Sequence, residues 1–124
     1  MAVTALYAGL LAPIFLILSF RVIAVRRGAK IALGDAGDPV LLRRMRAHAN
    51  FAEYVPFCVV LIGLAESTGA PLVVLHGLGI VLLAGRLSHA IGVSRHPETF
   101  AWRVGGMIAT FSVIGVAAIF CLLQ

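Results

Sequence analysis

Four long apolar runs, separated by three short polar stretches, set out the plan of this chain. The first, Ala2 to Phe20, carries no charge, and the pattern predicts a helix over about residues 3–25. Arg21, Arg26, Arg27 and Lys30 follow this run. A secretory leader places its positive residues before the apolar core and a small-residue cleavage site after it. The segment is therefore expected to be a retained membrane helix. Gly28 to Asp38 holds three glycines and two aspartates, which is loop chemistry. Asp38-Pro39 pairs an N-cap residue with a proline suited to the first helical position, predicting a second helix over 39–66. Ser67-Thr68-Gly69-Ala70 makes a turn, and Pro71 restarts a helix over 71–92. Ser94 to Pro97 is a third polar stretch, and the last helix is expected over 98–123.

A spanning helix takes roughly 20 residues, whereas a transmembrane β-barrel alternates apolar and polar residues in segments of about 10. Unbroken runs of this length predict an all-α integral membrane protein, a four-transmembrane-helix bundle forming one domain over 1–124. Internal repeats and low-complexity tracts are absent from the sequence.

Composition removes the alternatives. The chain is 61% hydrophobic and 12% charged, with a mean hydropathy of +1.06. Soluble domains are about 45–50% apolar and about 25% charged. A small domain also leaves too much exterior to hide such a surface from water. A cytosolic enzyme, a nucleic-acid binder and a disordered tail are excluded together. Cys58 and Cys121 lie inside apolar runs, where free thiols behave as small hydrophobes.

The few charges are placed on one side. Arg21, Arg26, Arg27, Lys30, Arg43, Arg44 and Arg46 flank the first loop, and Arg86, Arg95 and Arg103 flank the third. Together they are all ten basic residues, so the middle turn and both ends have none. By the positive-inside rule the two basic loops are cytoplasmic and both termini lie outside. The net charge of +5 is a one-sided collar that requires no nucleic acid.

Within the second helix, Arg43, Arg46, Asn50 and Glu53 stand at i, i+3, i+7 and i+10 and stripe one face. Ionisable residues at membrane depth are costly and point to function by default. Arg86 and His89 form an i, i+3 pair near the cytoplasmic end of the third helix, and Arg103 stands at the entrance of the fourth. If these ends converge, four arginines face one glutamate. Clustered like charges are unfavourable unless an anion joins them, and the arginine fork matches carboxylates. The residues thus suggest a pocket for a small, carboxylate-rich cytosolic anion. Plainer roles compete. Arg21, Arg26, Arg27 and Arg44 suit snorkelling to lipid headgroups, and Arg46, Asn50 and Glu53 suit an internal ion-pair cluster. His48 suits the interface and His76 suits packing. Gly77, Gly79, Gly85, Gly105 and Gly106 suit close helix contact. Histidines and carboxylates lack metal-ligand spacing, so a metal site is not expected.

The stretch Arg43-Arg-Met-Arg46-Ala-His-Ala-Asn50-Phe-Ala-Glu53-Tyr54-Val-Pro56 resembles the signature of the MAPEG family, the membrane-associated proteins in eicosanoid and glutathione metabolism. Gly85-Arg86-Leu-Ser-His89-Ala-Ile-Gly is similar to the third-helix segment of its bacterial members. The resemblance covers essentially the whole chain. It implies a homotrimer in a bacterial inner membrane, with glutathione as co-substrate between neighbouring subunits near the cytosolic face. Arg46, Asn50, Glu53 and Tyr54 match glutathione-binding positions, with Glu53 expected to receive the ammonium and Arg46 a carboxylate. Arg86 and His89 match further contacts. Arg103 resembles the catalytic arginine that stabilises the glutathione thiolate. The implied function is a glutathione-dependent transferase or peroxidase acting on lipophilic electrophiles or lipid hydroperoxides. The chain departs from catalytic relatives in having His89 and Val93 where those often place tyrosines. A non-catalytic membrane protein that binds a lipid or amphiphilic anion is the alternative.

Overall fold

A computed structural model describes residues 1–95 and 97–123. Its helices are α1 (Ala2–Ala29), α2 (Pro39–Ser67), α3 (Leu72–Ser94) and α4 (Phe100–Leu122). The four-helix architecture is the one the apolar pattern predicts, and the ends move for local reasons. α1 continues past Val25 because Arg26 and Arg27 sit in its last turn, where cations suit the negative end of the helix dipole. Lys30 then takes a left-handed conformation at φ 56°, and its N–H closes on the carbonyls of Arg26 and Arg27. At the start of α2, the Asp38 carboxylate accepts from the N–H groups of Val40 at 2.8 Å and Leu41 at 3.0 Å, with Pro39 following as expected. Pro71 caps α3 from outside, its carbonyl accepting from Val74 and Leu75. α4 begins at Phe100, so Glu98 is left in the loop, where two arginines hold its carboxylate.

α2 and α3 each pack on the other three helices, whereas α1 and α4 do not touch among the described residues. The tightest seam joins α3 to α4. A methyl group on Gly106 would stand 2.5 Å from the Gly85 carbonyl oxygen and 2.7 Å from the His89 Cβ. Both positions therefore require glycine, and the backbones meet directly. Gly79 receives the ring of Tyr7, as a packing glycine should. Gly77 and Gly105 do not pack: a methyl group on either meets nothing within 4 Å. They fall on outward helix faces, while Gly92, which the sequence did not single out, lies against the backbone of Arg103. Large apolar side chains, among them Ile17, Phe20, Ile80, Phe111 and Ile119, cover the outside. A helix that is apolar all round is suited to lipid, and all four are long and apolar enough to cross a membrane.

Several basic residues fasten the collar rather than reaching away from the protein. Arg26 donates to the Gly34 carbonyl at 2.8 Å, Arg44 to the Arg21 carbonyl at 3.1 Å, and Arg21 to the Ser94 hydroxyl at 3.0 Å. His48 stacks on Phe15 with ring centroids 4.9 Å apart, and His76 meets the Tyr7 hydroxyl through Nδ1 at 3.1 Å. At the opposite end, Glu66 of α2 caps α1. Its carboxylate accepts from Val3 N–H at 3.0 Å, Thr4 N–H at 2.8 Å and the Thr4 hydroxyl at 2.6 Å, and lies 2.9 Å from the Met1 ammonium. These are amides that a helix N-terminus leaves without partners. Glu66→Ala is expected to fray the first turn of α1 while sparing the collar. Hydrogen exchange in detergent checks this: the Val3 and Thr4 amides should lose protection, and the α3 amides should keep theirs.

Candidate functional site

The first turns of α2, the last turns of α3 and the start of α4 converge at the basic end around a cleft of about 270 Å³. α2 contributes Arg43, Arg46 and Asn50, α3 contributes His89, the loop before α4 contributes Glu98, and α4 contributes Arg103. Leu42 and Val93 supply apolar wall. Successive residues of an α-helix turn by about 100°, so Arg43 and Asn50 differ in direction by only about 20°. Those two face α3 and α4. Arg46 lies on the rim, and Glu53 falls beyond it, on the exposed side of α2. The stripe is real, but it straddles the edge of the cleft.

Behind the cleft lies Arg86, 1% exposed and enclosed by three helices. Its NH2 donates to the Asn50 side-chain oxygen at 2.7 Å and its NH1 to the Thr110 hydroxyl at 3.4 Å. The guanidinium carbon stands 5.6 Å from the centroid of the Phe51 ring, a cation–π arrangement. Its Nε has no partner, and no carboxylate pairs with it among the described residues. Arg86, expected as a ligand contact, lies one layer back, gripping Asn50 and His89, which line the cleft.

That grip orients both neighbours. With its oxygen taken by Arg86, Asn50 presents amide N–H donors to the cleft. Arg86 NH2 also approaches His89 Nδ1 at 3.4 Å. A guanidinium only donates, so Nδ1 accepts, and the network assigns the imidazole proton to Nε2. Glu98 pairs with Arg103 at 2.7 Å and, more loosely, with Arg43 at 3.8 Å. The cleft thus holds three arginines against one carboxylate, with a fourth guanidinium behind. Two positive charges in the cleft stay uncompensated, which suits an anionic ligand.

Two expected contacts stand apart from this wall. Tyr54 packs edge-to-face on Phe111 of α4, centroids 5.6 Å apart. Glu53 is exposed and has no ion-pair partner among the described residues, so the internal Arg46–Glu53 pair does not form. Glu98 was missed as a site residue because the apolar pattern assigned it to the end of a helix. Its signal was present, since it is the one acidic residue between Arg86 and Arg103. Among the described residues no three histidine, cysteine, aspartate or glutamate side chains cluster for a metal. A second, almost wholly apolar groove of about 440 Å³ lies between α1 and α2, lined by Phe15, Phe51, Val55, Pro56 and Val59 among others.

Comparison with known proteins bears on the whole length. The model of the MAPEG family matches residues 4–123. The Inner membrane protein YecN of Escherichia coli strain K12 is 42% identical over 112 residues, 90% of this chain and 84% of the relative. YecN of an Escherichia coli O6:H1 strain matches to the same extent. That name states a compartment and no activity.

Proposed function

The chain belongs to the MAPEG family and is an integral membrane protein, and on that premise we propose that it binds glutathione in the basic cleft and presents its thiol to lipophilic substrates in the bilayer. The observation that carries the reading is the excess of arginine around Asn50 and His89, with Glu98 as the cleft's carboxylate. Glutathione has two carboxylates and one ammonium, about minus one overall near neutral pH, which suits that excess. Arg46 and Asn50 take one carboxylate. A thiol of pKa near 8.5 becomes more ionised beside a cation, and Arg103 supplies one. The thiolate sulfur then forms a C–S bond to an electrophilic carbon, and the leaving group departs with its electron pair. With a lipid hydroperoxide, sulfur takes the terminal oxygen and frees the alcohol. A second glutathione converts the resulting sulfenic acid to disulfide and water.

Glu53 supports an assembly. A carboxylate on the exposed side of a membrane helix is unfavourable against lipid. In a homotrimer this side of α2 meets a neighbouring subunit, and Glu53 reaches the ligand ammonium across the interface. We place the protein in the bacterial inner membrane, as in the relative, with the basic loops cytoplasmic.

Isothermal titration of the detergent-purified protein with glutathione and with a desthiol analogue tests the reading. Both are expected to bind with similar affinity, because recognition resides in the carboxylates. Arg46→Ala should weaken both by about tenfold or more, on the order of one charge-assisted hydrogen bond. Absence of binding by wild type overturns the proposal. The apolar groove favours a second reading, a non-catalytic binder of lipid. It predicts thermal stabilisation by lipid with no glutathione turnover.

A further inference from the structure

Glu98 is a carboxylate of the chain itself in a cleft built for carboxylates. One oxygen meets Arg103 of α4 at 2.7 Å and the other stands 3.8 Å from Arg43 of α2. A single acidic group therefore spans guanidinium groups on opposite walls, as one carboxylate of a ligand would. Its position is set by the backbone: Pro97 precedes it, and the N–H of Thr99, the next residue, donates to the Gly92 carbonyl at 3.3 Å. Arg46, on the rim, has no ion-pair partner among the described residues. Beside it stand the amide of Asn50 and the Nε2–H of His89. The cleft is divided into one set of donors that is open and one that is occupied.

We propose that Glu98 is a resident surrogate for a ligand carboxylate, holding the Arg43–Arg103 pair while the cleft is empty and yielding it to a dicarboxylate. A monocarboxylate takes the open donors around Arg46 and leaves the bridge intact. A dicarboxylate must break it to engage both sets. Glu98 thereby sets the preference of the site for ligand charge: it lowers affinity for dicarboxylates and leaves monocarboxylates, which bind at the open donors, unaffected. Each ion pair is partly exposed, with side-chain exposures of 27% to 48%, so its strength is moderated by solvent and exchange with a ligand is feasible.

The inference rests on the anion reading of the cleft but not on glutathione as the anion. Isothermal titration of the full chain in detergent separates the two, with glutathione, glutarate and butyrate as probes. Glu98→Gln keeps the shape of the side chain and removes its charge. It is expected to tighten glutathione and glutarate by about fivefold, the scale of one released, partly exposed ion pair, and to leave butyrate unchanged. In an Arg103→Gln background the gain should shrink to twofold or less, because the closer side of the bridge is already broken. Glu98→Asp keeps the charge on a shorter arm, and its gain should fall between wild type and Glu98→Gln. Ligand-free melting of each variant shows that it is folded. Unchanged or weaker dicarboxylate binding by Glu98→Gln overturns the role of Glu98, even if wild type binds glutathione. An equal gain for butyrate also overturns it, as a general field in place of a bridge. Tighter glutarate with no glutathione binding upholds Glu98 and refutes glutathione as the ligand. No binding of any probe overturns both.

Discussion

Arg86→Ala is expected to destabilise the bundle by about 3 kcal/mol or more, the scale of a large buried side chain cut to a methyl. The guanidinium is 1% exposed and fills space shared by α2, α3 and α4. Truncation opens a cavity there, strips the Asn50 oxygen of its donor at 2.7 Å and removes the cation above Phe51. The buried Thr110 hydroxyl also loses the donor it accepts from, and a buried acceptor left without a partner adds its own cost to the cavity. Arg86→Lys keeps the charge but replaces a planar fork by a point donor. It is expected to fall between wild type and alanine in stability, with ligand affinity reduced because Asn50 is no longer oriented. Thermal unfolding in detergent measures the first effect and titration the second. An Arg86→Ala protein that melts with wild type would show that the guanidinium holds nothing together.

Arg103→Ala is expected to cut glutathione conjugation by about 100-fold at neutral pH while weakening glutathione binding less, because Arg43 remains to meet the second carboxylate. Removing one group that stabilises developing or settled negative charge costs about 10²–10³ in rate. The lower end applies because Arg103 is 48% exposed, so water screens part of its charge. A large fall in kcat with a small change in Kd assigns Arg103 to the thiolate. Equal losses in both would make it a binding residue, and unchanged turnover would remove it from the chemistry. Arg103 is also the stronger partner of Glu98. Glu98→Gln, which frees it, should therefore raise the fraction of bound thiolate in the ultraviolet absorbance of the complex.

Most of the architecture was legible because a bilayer leaves few options. Backbone groups with no water to meet must satisfy themselves within a helix, so four apolar runs become four helices. Asp38-Pro39 was readable for the same local reason, since an N-cap and its helix are adjacent in the chain. What escaped depends on partners far apart in sequence. Glu66 looks like the last turn of a helix until α1 is placed beside it, where it caps residues more than sixty positions away. The stripe on α2 was visible from its spacing, but helical periodicity leaves open how the helix is rotated against its neighbours. That rotation decides that Asn50 faces inward and Glu53 outward. Likewise, small size marks a glycine as able to pack. Only the neighbouring backbone distinguishes Gly106, which is pressed against α3, from Gly105, which meets nothing.

Where the backbones of α3 and α4 meet at Gly85 and Gly106, the side-chain atoms nearest the two glycines are the Cβ atoms of Ala109 and His89, which have no rotamer to slide or repack. The two helices are therefore one stiff lever, and His89 and Arg103 ride on it in fixed register. The other wall of the cleft is built differently. Pro56 interrupts the hydrogen-bond ladder in the middle of α2, and a proline there makes a helix bend more readily. Room for the proposed ligand is expected from the half of α2 that carries Arg43, Arg46 and Asn50. The cleft has one stiff wall and one that bends more readily, and the second carries most of the residues proposed for recognition.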